Sequence, residues 1–268
     1  MKDKKIVFCG GGNMTEGIVR GLFKNGASSS ENITVSEIIP ERCSYLSKTY
    51  GVTALADATE AIKDACMVVI SVKPLQVQGV ASMLKSLVNE KTIVMSIAAG
   101  ITLATLESHM GNDKKIVRMM PNTLSQSGNG YSAVCINGNV SDNEMDFIAA
   151  IADALGQTVY IKEEMFNAFT AFSCTGPLWL YKTVEAMIDA GVYVGFARAQ
   201  ARSMVIKNML GVAQVLEATD AHPVAKVDEM TSPGGITIEA LKAIREGGLE
   251  GVIMASVDAA LKKANTFK

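Results

Sequence analysis

Ile6-Val7-Phe8-Cys9-Gly10-Gly11-Gly12-Asn13-Met14-Thr15-Glu16-Gly17 is the stretch from which the fold is read. Four apolar residues in a row mark a strand buried on both faces. Three glycines then break it, and Ile18 to Leu22 continue at helical spacing. Strand, glycine turn and helix in that order are the context a dinucleotide-binding fingerprint requires. Gly10 permits the tight turn, and Gly12 lets a pyrophosphate approach the backbone. The third fingerprint position falls on Thr15, where Gly or Ala is usual, and Gly17 is the candidate for the close helix–strand contact.

Working outward, the pattern repeats. Ile33-Thr34-Val35 predicts a second strand ending at Ser36-Glu37. Glu37 stands where an acid would bind a ribose 2′-hydroxyl, while Ser36, Arg42 and Lys48 offer a 2′-phosphate partners. Pro40 to Tyr50 reads as a helix, Val52 to Leu55 as a short strand and Glu60 to Asp64 as a brief helix. The apolar run Cys66 to Val72 ends in Lys73-Pro74, and Pro74 suits the first turn of a helix over Leu75 to Val88. Thr92 to Ile97 is a further strand, leading to Ala98-Ala99-Gly100, small enough for a flat ligand to lie against the backbone. Lys115 to Met119 and Tyr131 to Ile136 add strands, Asp142 to Leu155 a helix capped by Ser141, and Gln157 to Ile161 the last extended run. The alternation up to Ala98-Ala99-Gly100 predicts parallel β-α units in a doubly wound sheet, with ligands at the carboxyl ends of its strands.

From Glu163 onward only helical segments are read: Phe166 to Ser173, a break at Thr175-Gly176-Pro177, then Leu178 to Val194 and Ala197 to Thr219. His222-Pro223 opens a shorter helix, and Leu249 to Lys263 forms the last. Between them, Ser232-Pro233-Gly234-Gly235 cannot continue a helix, and Ile236 to Leu241 starts a new one. A helix N-terminus after a glycine turn is a seat for a small anion such as a carboxylate, and Thr237 adds a hydroxyl at its edge. The two long helices are apolar around much of their circumference, which predicts cover by a partner subunit and a homodimer through this half.

Composition excludes several classes. The 268 residues carry a net charge of -2 with scattered Lys and Arg, so no nucleic-acid face is expected. Five cysteines without C-x-x-C spacing and two distant histidines argue against a zinc site or a disulfide framework; no metal is expected, and a reducing cytoplasm fits. The apolar run behind Met1 to Lys5 is too short for a signal peptide, and no stretch reaches membrane-spanning length.

Taken together, Phe8-Cys9-Gly10-Gly11-Gly12-Asn13-Met14, Val72-Lys73-Pro74, Ser96-Ile97-Ala98-Ala99-Gly100 and Arg118-Met119-Met120-Pro121-Asn122-Thr123 resemble the pyrroline-5-carboxylate reductases, the last enzymes of proline synthesis. In the second half Gly176-Pro177, Glu185-Ala186-Met187, Arg198-Ala199-Gln200-Ala201, His222-Pro223 and Ser232-Pro233-Gly234-Gly235-Ile236-Thr237-Ile238 extend the resemblance along nearly the whole chain. It implies an α/β protein with an N-terminal Rossmann-type domain over 1–162 and an all-helical dimerisation and substrate domain over 163–268. It implies NADPH or NADH as cofactor, held by Gly10, Gly11, Gly12, Asn13, Met14, Ser36, Ser71, Val72, Lys73, Pro74, Ile97, Ala98 and Ala99. Ser232, Gly234, Gly235 and Ile236 match the seat of the substrate carboxylate, and Thr237 matches a threonine near the substrate's ring nitrogen. A homodimer, or a larger ring of dimers, is the implied assembly.

The chain departs from the family pattern where Ser173-Cys174-Thr175-Gly176-Pro177-Leu178-Trp179 replaces the usual Ser-Gly-Ser-Gly-Pro-Ala-Tyr. Leu124 replaces a frequent proline, and Ala58 a frequent asparagine near the 2′-phosphate. The alternatives are therefore reduction of another imino acid and a non-catalytic dinucleotide-binding sensor. A β-hydroxyacid dehydrogenase would need asparagine three residues after Lys182, where Glu185 stands. Lys182 then reads as a surface charge, Cys174 as a core or pocket residue and His222 as a helix-start residue. Arg118 has no partner assignable from sequence.

Overall fold

The computed structural model describes residues 3–266; Met1, Lys2, Phe267 and Lys268, which the domain ranges above include, lie outside the described residues. Eight strands form one sheet in the order β3-β2-β1-β4-β5-β6-β7-β8. They are β1 (Ile6–Cys9), β2 (Ile33–Ser36), β3 (Thr53–Leu55), β4 (Met67–Ile70), β5 (Ile93–Ser96), β6 (Lys115–Pro121), β7 (Gly130–Ile136) and β8 (Gly156–Tyr160). The helices between them are α1 (Asn13–Lys24), α2 (Pro40–Tyr50), α3 (Thr59–Lys63), α4 (Pro74–Leu87), α5 (Leu103–Met110) and α6 (Asp142–Asp153).

The central strands β1 and β4 are apolar at every position because both faces are covered. Ile6, Phe8, Met67, Val69, Ile93, Met95, Val117 and Met119 point to one side, where α1 and α6 bring Ile18, Leu22, Phe147, Ile148 and Ile151. Val7, Cys9, Val68, Ile70, Val94 and Ile116 point to the other, against Ile62, Val77, Ala81, Leu84, Leu106 and Met110 of α3, α4 and α5. Each such side chain fully withdrawn from water contributes about 1.5–3 kcal/mol.

The pairs from β3 to β6 are parallel, but β7 runs antiparallel to β6, with Met119 opposite Val134. The parallel β-α units expected up to Gly100 are present, and the reversal lies beyond them. The link from Pro121 to Gly130 holds only a 3₁₀ turn, Thr123–Ser127, and a parallel return needs a crossover of a dozen or more residues. β8 then pairs parallel to β7 through α6. Helix α5, capped by the Thr102 hydroxyl accepting from Thr105 N at 3.0 Å, was not read from sequence. Ser141 caps α6 as expected, its N–H and hydroxyl both donating to Glu144 Oε2.

After β8 come α7 (Phe166–Phe169), a π-helical turn over Thr170–Cys174, α8 (Gly176–Tyr193), α9 (Arg198–Ala218), α10 (Pro223–Met230), α11 (Ile236–Glu246) and α12 (Leu249–Ala264). The expected break at Thr175-Gly176-Pro177 is a change of helix type: Pro177 sits in the first turn of α8, where its missing N–H costs nothing. The chain divides into two compact units, one reaching Cys174 and taking up the chain again from Ala260, the other Thr175–Ala259. No helix among the described residues is long and apolar enough to cross a membrane.

Candidate functional site

In the sheet-bearing unit, the strand order 3-2-1-4-5-6 reverses direction between β1 and β4, and a ligand crevice opens at the carboxyl ends of such strands. Gly10 leaves β1 at φ 109°, a left-handed backbone that only glycine adopts freely, and a Cβ there would lie 2.8 Å from Ser71 O. A Cβ on Gly11 would press on Leu46 at 2.9 Å. Gly12 differs: a Cβ there meets nothing within 4 Å. The bare side of the turn is therefore at Gly12, which is also the N-cap of α1, with no side-chain cap. Uncapped N–H groups of Asn13 and Met14 with the helix dipole behind them are the donor set a pyrophosphate takes. These residues fit a dinucleotide.

The other cofactor candidates on the strand ends gather around this turn. Gly10 N donates to Ser36 O at 2.8 Å, and Ser71 N to Cys9 O at 2.9 Å. The Thr15 hydroxyl, fully buried, lies 2.7 Å from Gly10 O and 2.8 Å from Ser71 Oγ, so the non-glycine at the third fingerprint position ties the turn to β4. Lys73 caps α4, its N–H donating to Gln76 Oε1 at 3.3 Å, and Pro74 takes the first helical position. Ile97 N donates to Ile70 O at 3.1 Å, and Ala98 N to the Ser96 hydroxyl at 3.4 Å. Farther along α1, Gly21 makes a close contact of another kind: a Cβ there would fall on the carbonyl of Ala154 at the end of α6.

Glu37 and Arg42 are engaged with the turn itself. Glu37 Oε2 accepts from Gly11 N at 2.9 Å, and Oε1 from Ile39 N at 3.0 Å. Arg42 Nε donates to Gly11 O at 2.6 Å, and its Nη2 to Glu16 Oε2 at 2.7 Å. The other Glu16 oxygen accepts from Tyr45 at 3.0 Å and Tyr50 at 2.7 Å. Burial pushes the Glu16 carboxyl up, but the hydrogen bonds from Tyr50, Arg42 and Tyr45 outweigh it and hold it below the usual range. The same burial and the Glu16 charge push Tyr50 up to about 12. A lowered carboxyl stabilises above its unfolded pKa, so this cluster is intact at neutral pH and loosens as pH falls through the folded value. Sequence reasoning missed Glu16 and both tyrosines, and also Ile38, 76 % exposed beside Glu37. An apolar pair, Ile38-Ile39, following an acid in a loop was the available signal. A hollow of about 410 Å³ lies against Leu55, Asp57, Ala58 and Thr59 beyond the end of β3. A larger open groove, about 580 Å³, runs past Leu103, Cys135, Tyr160 and Glu163 and touches none of the turn residues.

In the helical unit, Gly234 takes φ 69° and Gly235 N donates to Ser232 O at 3.0 Å, closing the turn before α11. A Cβ on Gly235 would fall on the Ser232 hydroxyl, which would have to rotate away. Gly235 is the N-cap of α11 without a side-chain cap, and Ile236 and Thr237 are exposed. Ser232, Gly234, Gly235, Ile236 and Thr237 thus share one uncapped helix start. Trp179, the large departure, donates to Ser256 Oγ at 2.9 Å and so joins α8 to α12. Lys182 is exposed and paired with Glu185. His222 Nδ1 accepts from Val224 N at 3.2 Å and caps α10.

Back in the sheet-bearing unit, Cys174 donates to Pro121 O at 3.8 Å, and burial pushes its thiol up to about 11, the reverse of an activated nucleophile. Among the described residues no cluster of His, Cys, Asp and Glu could hold a metal ion.

Two family models match: "Pyrroline-5-carboxylate reductase dimerisation" over residues 163–267 and "NADP oxidoreductase coenzyme F420-dependent" over residues 5–100. The pyrroline-5-carboxylate reductase of Glycine max is 33 % identical over 259 residues, 96 % of this chain and 93 % of the relative. That of Escherichia coli K12 is 33 % identical over 262 residues, 98 % of this chain and 97 % of the relative. The crystal structure of the Plasmodium falciparum pyrroline carboxylate reductase with NADP bound matches with a TM-score of 0.89 at 27 % identity, covering 100 % of this chain and 99 % of the other. Likeness of this extent leaves one conclusion: the chain belongs to the pyrroline-5-carboxylate reductase family.

Proposed function

We propose that the protein is an NAD(P)H-dependent oxidoreductase that reduces pyrroline-5-carboxylate to L-proline. The observation that carries this reading is membership of the family along 96 % of the chain, and the uncapped helix start at Ser232 to Thr237 supports it as a seat for a carboxylate. The bound dinucleotide supplies a hydride. Gly12, Asn13 and Met14 would present backbone N–H groups to its pyrophosphate, on the turn that Gly10 and Gly11 shape, with Ser36 at the ribose end. Ser71 to Pro74 and Ile97 to Ala99, at the strand ends, would hold the nicotinamide half of the cofactor. Ser232, Gly234 and Ile236 would hold the substrate carboxylate by backbone N–H groups and the α11 dipole, on the turn that Gly235 closes by donating to Ser232 O.

Little else is asked of the chain. The imine nitrogen, once protonated from solvent, makes the neighbouring carbon an acceptor; a hydride forms the new C–H bond, and the C=N pair moves to nitrogen. Catalysis is then positioning and electrostatics. Thr237 orients a water at the ring nitrogen. Thr237→Ala is expected to lower kcat about 10- to 100-fold while leaving dinucleotide affinity unchanged. Steady-state absorbance of the reduced nicotinamide reads the first, and a binding titration the second; unchanged kcat refutes the role.

The functional division falls at 162/163, and two copies pair through the helical half. Leu180, Tyr193, Leu210, Val212, Val252 and Met254 are large apolar side chains left exposed on α8, α9 and α12 of a single chain. Such a surface favours a partner. We place the enzyme in the cytoplasm, as a homodimer or a ring of dimers. The deciding experiment mixes the purified protein with pyrroline-5-carboxylate and each reduced cofactor. Oxidation of either cofactor with proline formed supports the reading. Tight cofactor binding without turnover overturns it in favour of another imino acid or a sensor.

A further inference from the structure

We infer that the pocket selects NADH over NADPH, with Glu37 as the discriminating carboxylate and Glu16 as the residue that keeps Arg42 from offsetting it. The inference rests on the dinucleotide-binding half of the proposed function and not on the imine chemistry. The end of β2 is where this fold holds the adenosine ribose. Glu37 is fixed there by two backbone donors, Gly11 N and Ile39 N, so its carboxylate stays beside the glycine turn. A carboxylate in that position accepts from vicinal hydroxyls and repels a 2′-phosphate.

A nearby guanidinium is the usual answer to such a phosphate. Arg42 is the cation at the start of α2, and it is turned away. Its Nε is spent on Gly11 O at 2.6 Å and its Nη2 on Glu16 Oε2 at 2.7 Å. It also stacks on Tyr45, 4.9 Å from the ring centroid. Glu16 holds it with force because its own carboxylate is positioned by Tyr45 and Tyr50. The side chains of Arg42 and Glu16 are 23 % and 16 % exposed, so solvent screens this pair only in part. Glu16 touches no cofactor atom in this reading; it is a positioning residue that acts through Arg42.

The test is a titration of the full-length protein with NADH and with NADPH, followed by nicotinamide fluorescence and without any imine present. The wild type is expected to bind NADH at least about tenfold more tightly. Glu37→Gln keeps an acceptor for Gly11 N but removes the charge, and should raise NADPH affinity about tenfold or more. Adding Glu16→Ala should raise NADPH affinity several-fold again, and adding Arg42→Ala to that pair should erase the second gain. Equal affinities in the wild type, an unmoved NADPH affinity in Glu37→Gln, or a second gain that survives Arg42→Ala each overturn the inference. If the Glu16 variants fail to fold, as a melting curve would show, the Glu37→Gln titration decides alone. A chain that reduces no imine would leave this titration intact, so the two readings fail separately.

Discussion

Arg118→Ala is expected to lower the unfolding free energy of the sheet-bearing unit by about 3 kcal/mol. Arg118 lies in the middle of β6, opposite Ser96 on β5 and Cys135 on β7, with its side chain 4 % exposed. A charge so deep must be paired. Its Nη1 donates to Glu163 Oε1 at 3.1 Å, and its guanidinium stacks 4.3 Å over the fully buried ring of Phe166. The same Glu163 oxygen accepts from Leu103 N at 2.6 Å, at the N-terminus of α5. One ion pair therefore fastens β6, α5 and the start of the helical run after β8. Alanine removes the stacking, leaves a void and strands Glu163; because that carboxylate is 31 % exposed, the loss falls at the lower end of the range for a broken buried pair. Arg118→Lys should recover only part, since an ammonium cannot match the planar stack. Removing both charges, as Arg118→Met with Glu163→Leu, should cost less than the sum of the single changes by about 1–3 kcal/mol. Urea unfolding at fixed protein concentration measures the wild type, Arg118→Ala, Arg118→Lys, the single changes Arg118→Met and Glu163→Leu, and their combination, the concentration being held because assembly adds stability by mass action. Additive losses would mean that the two residues act independently.

What the sequence made legible follows from where each interaction lies. β1, β4 and β5 could be read because burial on both faces leaves an unbroken apolar run, and the glycine turn because only glycine accepts the backbone of Gly10. The start of α11 was legible for the same reason at Gly234. The reversal of β7 was not, since strand direction is set by the length of the Pro121 to Gly130 link, and not by the apolar pattern of either strand. The Glu16, Arg42, Tyr45 and Tyr50 cluster was also hidden. Its members sit on two polar helix faces, 26 to 34 positions apart, and each alone looks like an ordinary surface residue. Arg118 could not be assigned because its partner stands 45 positions along the chain.

Two glycine-to-alanine changes in helices of the same unit are expected to have opposite signs. In Gly79, on the exposed side of α4, an added Cβ meets nothing within 4 Å. Alanine there removes backbone freedom from the unfolded chain and should add about 0.5–1 kcal/mol of stability. In Gly21, inside α1, the added Cβ would fall on the carbonyl oxygen of Ala154 and 2.8 Å from its carbon. That neighbour cannot retreat. Ala154 is buried at the end of α6, the next carbonyl, Leu155 O, accepts from Gly130 N at 3.0 Å, and Gly156 beyond it is itself packed on Gly130. Backbone must therefore move, and overpacking against backbone outweighs the gain of about 1 kcal/mol in helix propensity, for a net loss of about 2 kcal/mol or more. The displaced element is α1, whose N-terminus carries Gly12, Asn13 and Met14, so dinucleotide affinity should fall along with stability in Gly21→Ala and stay unchanged in Gly79→Ala. Unfolding curves and a cofactor titration on both variants check this. A Gly21→Ala protein as stable as the wild type would show that α1 and the end of α6 are free to slide, and that the phosphate seat does not depend on their contact.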